Sequence, residues 1–216
     1  MYYKYPRTPH LPFSPGATND DRILKSMDHF VDQEVVVTVK MDGENTSIYR
    51  DHIHARSLDS GNHISRNWIK NFASTFQQEL KDGWRICGEN LWASHSISYH
   101  NLKSYFYMFS IWDDNICLSW KDTEDWAELL GIATVPVIYK GIWNEDIIRN
   151  LYQEKIFDDD MEGFVVRKTN SFTFDTFGQN MAKYVRKGHV QTSKHWMFEE
   201  IKRNELVSNK QTEETV

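Results

Sequence analysis

The sequence contains few of the residues that mark a secreted or membrane-spanning protein. It has 2 cysteines in 216 residues, and Cys87 and Cys117 lie far apart in apolar stretches, which predicts buried thiols rather than a disulfide framework or a zinc site. No apolar run approaches the roughly 18 residues of a membrane span, and the first residues lack the basic-then-apolar order of a signal peptide. We therefore expect a soluble, cytoplasmic globule with no membrane partner.

An excess of positive charge is also lacking. The chain carries 31 acidic and 25 basic residues, a formal net charge of -6, which argues against nucleic-acid binding through overall charge but not through a local basic groove. Basic residues concentrate near the C-terminal end, which is the candidate nucleic-acid side. They are Lys183, Arg186, Lys187, His189, Lys194, Lys202 and Arg203.

Proline is scarce after the first few residues. Four of the 5 prolines lie at or before Pro15, so the chain should begin as an extended surface arm. Apolar residues at helical spacing between Asn19 and Val31 predict a short helix after it. We therefore expect residues 1–33 to form an N-terminal arm and a short helix.

The rest of the chain predicts strands with intervening helices. The first three strands, 35–39, 46–49 and 52–55, should form an antiparallel meander, because turn residues separate them. The absence of a regular strand-helix alternation favours an α+β fold of antiparallel sheets flanked by helices. We expect one domain over residues 34–190, with a C-terminal helix and frayed tail, 191–216, packed on it. The other predicted strands are 84–89, 105–112, 116–118, 135–139, 162–167, 172–174 and 181–185, and the helices are 65–81, 123–130, 144–154 and 196–206.

The most informative motif is Lys40-Met41-Asp42-Gly43, which places a lysine at the end of an apolar strand and an acidic-glycine turn after it. Taken alone, the same pattern is typical of a surface hairpin.

Other short motifs follow this one in a fixed order, and in that order the sequence resembles the covalent nucleotidyltransferases, which include ATP-dependent DNA and RNA ligases and mRNA capping enzymes. The resemblance covers residues 34 to 187, and it implies a nucleotidyltransferase core similar to that of the ATP-grasp ligases. The matching elements are Lys40 to Gly43, Arg56-Ser57, Gly88 to Leu91, Phe106 to Phe109, Glu162 to Arg167 and Lys183 to Arg186.

The resemblance implies a covalent mechanism. Lys40 would attack the α-phosphorus of ATP and release pyrophosphate; AMP would then pass from the lysine to a 5′-phosphate, and a 3′-hydroxyl would seal the strand. Asp42 and Lys183 would join Lys40 as catalytic residues, and Glu89 and Glu162 would approach Mg²⁺ or Mn²⁺. The residues implied to bind nucleotide are Arg56, Glu89, Phe109, Glu162, Lys183 and Arg186.

The covalent mechanism requires particular surroundings for Lys40, and the other implied residues each have a structural alternative. A nucleophilic lysine must be neutral, and we expect burial at the strand end and nearby cations to lower the pKa of Lys40. For Glu89 and Glu162, the alternative is a pair of exposed strand carboxylates. For Phe109, a place in the core is as well supported as stacking on adenine.

The sequence departs from ligases of this type at three points. Ser110 stands where aspartate is common, Val185 stands where a second lysine is common, and too few residues follow the last motif for an OB domain. The basic segment near the end either contacts RNA or forms a turn before a capped helix. Its candidate contacts are Lys187, His189, Lys194 and His195.

We expect the substrate to be RNA with a 5′-phosphate and a 3′-hydroxyl, because the compact chain resembles the RNA repair ligases. An end-healing kinase or phosphatase would be a suitable partner. Alternative functions are a DNA ligase and a GTP-using capping guanylyltransferase, and an alternative of another class is a non-catalytic nucleic-acid-binding module.

Overall fold

A computed structural model describes residues 1–156, 159–188 and 201–207. In these ranges the chain forms thirteen β strands and four α helices. The strands are β1 (Glu34–Val39), β2 (Glu44–Tyr49), β3 (Ile53–Ala55), β4 (Trp84–Asn90), β5 (Phe106–Asp113), β6 (Ile116–Cys117), β7 (Ala133–Thr134), β8 (Val137–Ile142), β9 (Lys155–Ile156), β10 (Asp159–Asp160), β11 (Gly163–Lys168), β12 (Phe172–Thr173) and β13 (Met181–Val185). The helices are α1 (Asn67–Ala73), α2 (Trp120–Leu129), α3 (Glu145–Arg149) and α4 (Phe177–Asn180).

The strands form two main sheets. One has four antiparallel strands in the order β13-β11-β1-β8, and the other has seven, in the order β12-β6-β5-β4-β2-β3 with β7 parallel beside β5. A separate short ribbon pairs β9 with β10. The predicted α+β architecture of antiparallel sheets with flanking helices is therefore confirmed.

Strand β1 occupies a central position because it is apolar on both faces. Val35 and Val37 pack into a cluster on the outer face of the four-stranded sheet, whereas Val36 and Val39 pack toward the seven-stranded sheet. Pairing with β11 on one edge and β8 on the other satisfies its backbone. The predicted meander is therefore confirmed for β2 and β3, which pair as an antiparallel hairpin, and wrong for β1, which lies in the other sheet. The segment between β1 and β2 crosses from one sheet to the other.

The seven-stranded sheet is covered on one face by α1 and α2. Ile48 and Ile86 from the sheet pack against Ile69 of α1, and all three are fully buried. Helix α2 begins three residues before the predicted start, because Ser119 and Asp122 form a capping box that satisfies its first backbone amides. The opposite face of this sheet is turned toward the four-stranded sheet.

The predicted helix between Asn19 and Val31 was wrong except for one short 3-10 turn at Asp28–Phe30. His10 pairs with this segment instead, because its amide donates to the Arg22 carbonyl and its carbonyl accepts from the Leu24 amide. These bonds keep the backbone extended where a helix would need its own hydrogen bonds. The N-terminal residues are therefore part of the packed fold and not a surface arm.

Other predicted helices are shorter than expected or only partly described. The 65–81 helix reduces to α1 between 3-10 turns, and the 144–154 helix reduces to α3. The first five residues of the predicted helix 196–206 lie outside the described residues. Its described part, from 201, forms isolated bridges to residues 93 and 102 and is not a helix.

Cys87 and Cys117 are buried free thiols, as predicted. Among the residues that the structure describes, no helix has the length and apolarity needed to cross a membrane.

A matched pair of substitutions tests where the core lies. Ile86→Ala removes a fully buried side chain and should lower the free energy of unfolding by about 2–5 kcal/mol. Ile142→Ala changes a strand residue that is 57% exposed and should cost less than about 1 kcal/mol. Urea denaturation measures both, and equal losses would contradict this assignment of the core.

Candidate active site

A cleft of about 890 Å³ lies between the two sheets. It is lined by residues at or beside the ends of β1, β3, β4, β11 and β13, by the middle of β5, and by the N-terminal segment. Most of the residues predicted from the sequence to form a site meet here. They are Lys40, Asp42, Arg56, Glu89, Phe109, Glu162 and Lys183.

Lys40 and Glu162 join the two central strands at the floor of the cleft. The Lys40 amide donates to the Gly163 carbonyl at 2.9 Å, which continues the pairing of β1 with β11 by one residue. The Lys40 Nζ donates to Glu162 Oε1 at 2.5 Å. The Glu162 side chain is fully buried and that of Lys40 is 22% exposed toward the cleft. A buried charge requires such a partner, because desolvation of an unpaired carboxylate is very costly.

The charge state of Lys40 differs from the prediction. Burial favours a lower pKa, as expected, but the negative charges of Glu162 and Glu89 and the hydrogen bond to Glu162 outweigh it. The pKa of Lys40 is therefore raised above its ordinary value, and the expectation that it would be lowered was wrong for the cleft without ligands. The sequence did not show that three carboxylates converge on this lysine, of which Asp42 is the third.

Glu89 reaches the turn that follows Lys40. Its Oε1 accepts a hydrogen bond from the Gly43 amide at 3.2 Å. A side chain at Gly43 would place its Cβ 2.6 Å from the Asn90 carbonyl oxygen, so only glycine lets the turn pass this close to β4. Burial raises the pKa of Glu89 to about 8; the Lys40 charge opposes this rise, and Glu162 adds to it.

Asp42 holds a neighbouring loop in place. Its Oδ2 accepts hydrogen bonds from the Ser96 hydroxyl at 2.6 Å and the Ile97 amide at 2.8 Å. The Asp42 amide in turn donates to the Tyr99 hydroxyl at 2.9 Å. These bonds fix the Lys40 turn against the loop that closes one side of the cleft.

Phe109 lies at an irregularity of β5. Met108 pairs with Gly88 and Ser110 pairs with Cys87, so Phe109 is the extra residue of a β-bulge. Bulges redirect side chains beside active sites. The Phe109 ring is partly buried and lines the cleft. It packs edge-on against the Tyr5 ring, with 5.2 Å between the ring centroids. Phe109 thus packs against core residues and also forms part of the cleft wall.

Two cations line the cleft with these acids. Arg56 follows β3, and burial together with the charge of Arg7 lowers its pKa. Lys183 lies on β13, and burial together with the charge of Lys40 lowers its pKa. The lining residues therefore place carboxylates and cations in one cleft, as binding of a metal-complexed polyphosphate requires.

Some predicted residues do not line the cleft. Arg186 follows β13, and strand alternation puts it on the same face as Tyr184 and on the opposite face from Lys183. Its positive charge acts to lower the pKa of Tyr152. Lys187 is exposed in the turn after it. The other three candidates for RNA contact, His189, Lys194 and His195, lie outside the described residues.

Ser110 and Val185, the two residues that differ from the ligase pattern, are buried. Ser110 is fully buried in β5 and accepts a hydrogen bond from Trp112 Nε1. Val185 is packed under the N-terminal segment: its amide donates to Ser14 Oγ and its carbonyl accepts from the Gly16 amide, both at 2.9 Å. A charged residue at either position would be desolvated in this structure.

Sequence reasoning missed several residues that line the cleft. Arg66 forms a two-nitrogen contact with both carboxylate oxygens of Glu44, and Arg167 donates to the bulged Phe109 carbonyl at 3.4 Å. His95 is half-buried in the loop held by Asp42. Arg167 could have been found, because it ends the Glu162 element, whereas no local pattern marks the others.

A lysine beside carboxylates in a cleft between antiparallel sheets, with cations and an aromatic ring on its walls, is the arrangement that the resemblance to covalent nucleotidyltransferases implies. The chain belongs to the RNA ligase family, whose model matches residues 33–185. Comparison with curated proteins gives no significant match.

Solved structures of an RNA ligase from Naegleria gruberi share the fold. A lysine-to-alanine mutant with ATP and Mn is 19% identical over 74% of this chain and 52% of that chain, with a TM-score of 0.55. An aspartate-to-alanine mutant in the apo state is 18% identical over 84% of this chain and 57% of that chain, with a TM-score of 0.58. The present chain therefore spans just over half of the length of these relatives.

The raised pKa of Glu89 predicts a dependence of stability on pH. Folded protein retains a proton on Glu89 up to about pH 8, whereas unfolded protein releases it near pH ~4.3, so the free energy of unfolding decreases as pH rises between these values. Glu89→Gln removes this term. Between pH 5 and 8, without nucleotide or metal, wild type should lose more than about 1 kcal/mol relative to Glu89→Gln, since each pKa unit corresponds to about 1.4 kcal/mol.

Urea denaturation across that pH range measures the difference. Glu79→Gln, which changes an exposed carboxylate, is the control and should follow wild type. A difference between wild type and Glu89→Gln that stays constant with pH would refute the assigned protonation of Glu89.

Proposed function

We propose that this chain is an ATP-dependent RNA ligase in which Lys40 becomes adenylylated. The observation that carries the proposal is the position of the Lys40 amine, held by Glu162 at the floor of a cleft large enough for a nucleotide. Membership of the RNA ligase family and the shared fold of ligases solved with ATP and Mn support it.

In the first step, the Lys40 nitrogen forms a bond to the α-phosphorus of ATP, and the bond from that phosphorus to the bridging oxygen of pyrophosphate breaks. The amine must lose a proton before or during attack. Glu162 Oε1, 2.5 Å from the nitrogen, is placed to accept it. Pyrophosphate leaves with the electron pair of the broken bond.

The walls of the cleft suit the rest of the nucleotide. Arg56 and Lys183 supply positive charge for the phosphates, and fixed cations in a partly dry cleft stabilise charge that develops at a transition state. Phe109 offers a ring face or edge for adenine.

A divalent metal fits the acidic side of the cleft. Within the described ranges, no group of three or more acidic, histidine or cysteine side chains forms a ready-made metal cage. Mg²⁺ commonly uses one or two carboxylates and completes its shell with water and phosphate oxygens. Glu89 and Glu162 would provide those carboxylates, and a bound ion would supply positive charge beside the phosphates and Lys40.

Joining of RNA ends follows in two further steps. An oxygen of the 5′-phosphate attacks the lysyl-AMP phosphorus and the bond to the Lys40 nitrogen breaks; a 3′-hydroxyl then attacks the activated 5′-phosphate, forms the phosphodiester and releases AMP. Lys187, His189, Lys194 and His195 remain the candidate RNA contacts, and a kinase or phosphatase that produces these ends is the expected partner. Because the chain spans about half of the Naegleria relatives, these later steps are the part of the proposal that most needs direct assay.

Covalent labelling tests the nucleophile. Wild type incubated with Mg²⁺ and ATP labelled at the α-phosphate should retain label on a denaturing gel, and Lys40→Ala should lose it because the label is carried by the Lys40 nitrogen. Lys140→Ala, which changes an exposed lysine on β8, should label as wild type does. Undiminished label in Lys40→Ala, or label from GTP alone, would refute the proposal.

Sealing assays test the substrate. With a 5′-phosphate and a 3′-hydroxyl at the junction, RNA strands should be joined at least about tenfold faster than DNA strands, because the 2′-hydroxyl is the group that distinguishes them. Preferential sealing of an all-DNA nick would instead indicate a DNA ligase.

A further inference from the structure

The outer edge of β13 is covered by residues 9–16 of the N-terminal segment. Both backbone groups of Lys183 are bonded there. Its amide donates to the Pro9 carbonyl at 2.8 Å, and its carbonyl accepts from the Leu11 amide at 2.8 Å. The N-terminal segment thus fixes the backbone of the residue that supplies one of the cations of the cleft.

The same segment brings a carboxylate to the Lys183 side chain. Asp21 Oδ1 lies 3.9 Å from Lys183 Nζ, and the two side chains are 29% and 12% exposed. Asp21 is itself held in place, because its Oδ2 accepts hydrogen bonds from the amide and the hydroxyl of Thr18 at 3.0 and 2.9 Å. Two hydrogen bonds therefore hold the carboxylate beside the lysine ammonium.

His10 lies beside Asp21 on the buried side. The Ser14 hydroxyl accepts a hydrogen bond from the Val185 amide and lies 2.8 Å from His10 Nδ1. His10 Nε2 lies 3.5 Å from Asp21 Oδ2. Burial and the charge of Lys183 lower the pKa of His10 to about 4, so the ring is neutral near pH 7.

The surroundings of Lys183 disfavour its charged form. Burial and the positive charges of Lys40 and Arg56 lower its pKa, whereas Asp21 and Glu162 act in the opposite direction. Glu162 already bonds Lys40. Asp21 is therefore the carboxylate available to hold Lys183 itself.

We propose that Asp21 is a positioning residue that holds the Lys183 ammonium for its contact with the nucleotide phosphate, an inference that rests on the proposed adenylylation. A lysine ammonium is a point charge on a four-carbon stem and has no preferred direction of its own. A misplacement of about 1 Å in a catalytic group can cost about a hundredfold in rate. Ordering Lys183 before the nucleotide arrives therefore acts on the rate of transfer more than on binding.

Substitutions of Asp21 test this role in single-turnover adenylylation of Lys40, through the maximal rate constant (kcat) and the ATP concentration that gives half of that rate (KM). Asp21→Asn should lower kcat about tenfold and change KM for ATP less than about twofold, because the ammonium loses its fixed partner. Asp21→Glu keeps the carboxylate and should recover most of the lost kcat. Asp28→Asn, an exposed carboxylate of the same segment that does not line the cleft, should keep the wild-type kcat.

The outcomes separate this inference from the proposed function. A wild-type protein that forms no adenylate overturns the proposed function and the role of Asp21 with it. An active wild type combined with an unchanged kcat in Asp21→Asn, or with a loss only in KM, overturns the role of Asp21 alone.

A second variant decides the question if Asp21→Asn does not fold. Thr18→Ala leaves the carboxylate and removes the hydroxyl that holds it. It should lower kcat in the same direction by a smaller factor, and an unchanged kcat in that folded variant counts against the inference.

Discussion

The contact between Lys40 and Glu162 is the interaction on which the site depends. It joins the residue that follows β1 to the residue that precedes β11, at the point where the chain leaves one sheet for the other. Glu162 is fully buried, and the adjacent lysine stabilises its charge there. The amine is therefore fixed at the cleft floor by the same contact that neutralises the carboxylate.

The charges around Lys40 favour its protonated form. Three carboxylates raise the pKa of Lys40, and their mutual repulsion together with burial raises the pKa of Glu89. Two cations, Arg56 and Lys183, line the same cleft, and burial lowers the pKa of each. A ligand that carries phosphates and a divalent cation would supply partners for both the cations and the carboxylates.

Much of the site could be predicted from the sequence, because its residues occur in short motifs at strand ends. The placement of Lys40, Glu89, Glu162 and Lys183 in one cleft was implied by the resemblance of their ordered motifs to those of covalent nucleotidyltransferases. Three features could not be read locally: the change of sheet after β1, the bulge at Phe109 and the packing of the N-terminal segment onto β13. Each depends on long-range pairing, which periodicity and residue preference do not encode. The charge of Lys40 was mispredicted for the same reason, since its acidic neighbours come from distant strands.

A double-mutant cycle tests most directly whether the contact between Lys40 and Glu162 organises the site. The free energies of unfolding would be measured for wild type, Lys40→Met, Glu162→Gln and the double mutant, without nucleotide or metal. The buried pair predicts a favourable coupling energy of at least about 2 kcal/mol, because each single substitution leaves its partner without its main contact. Effects that add to within about 0.5 kcal/mol would contradict it and would leave Lys40 as an independent surface lysine.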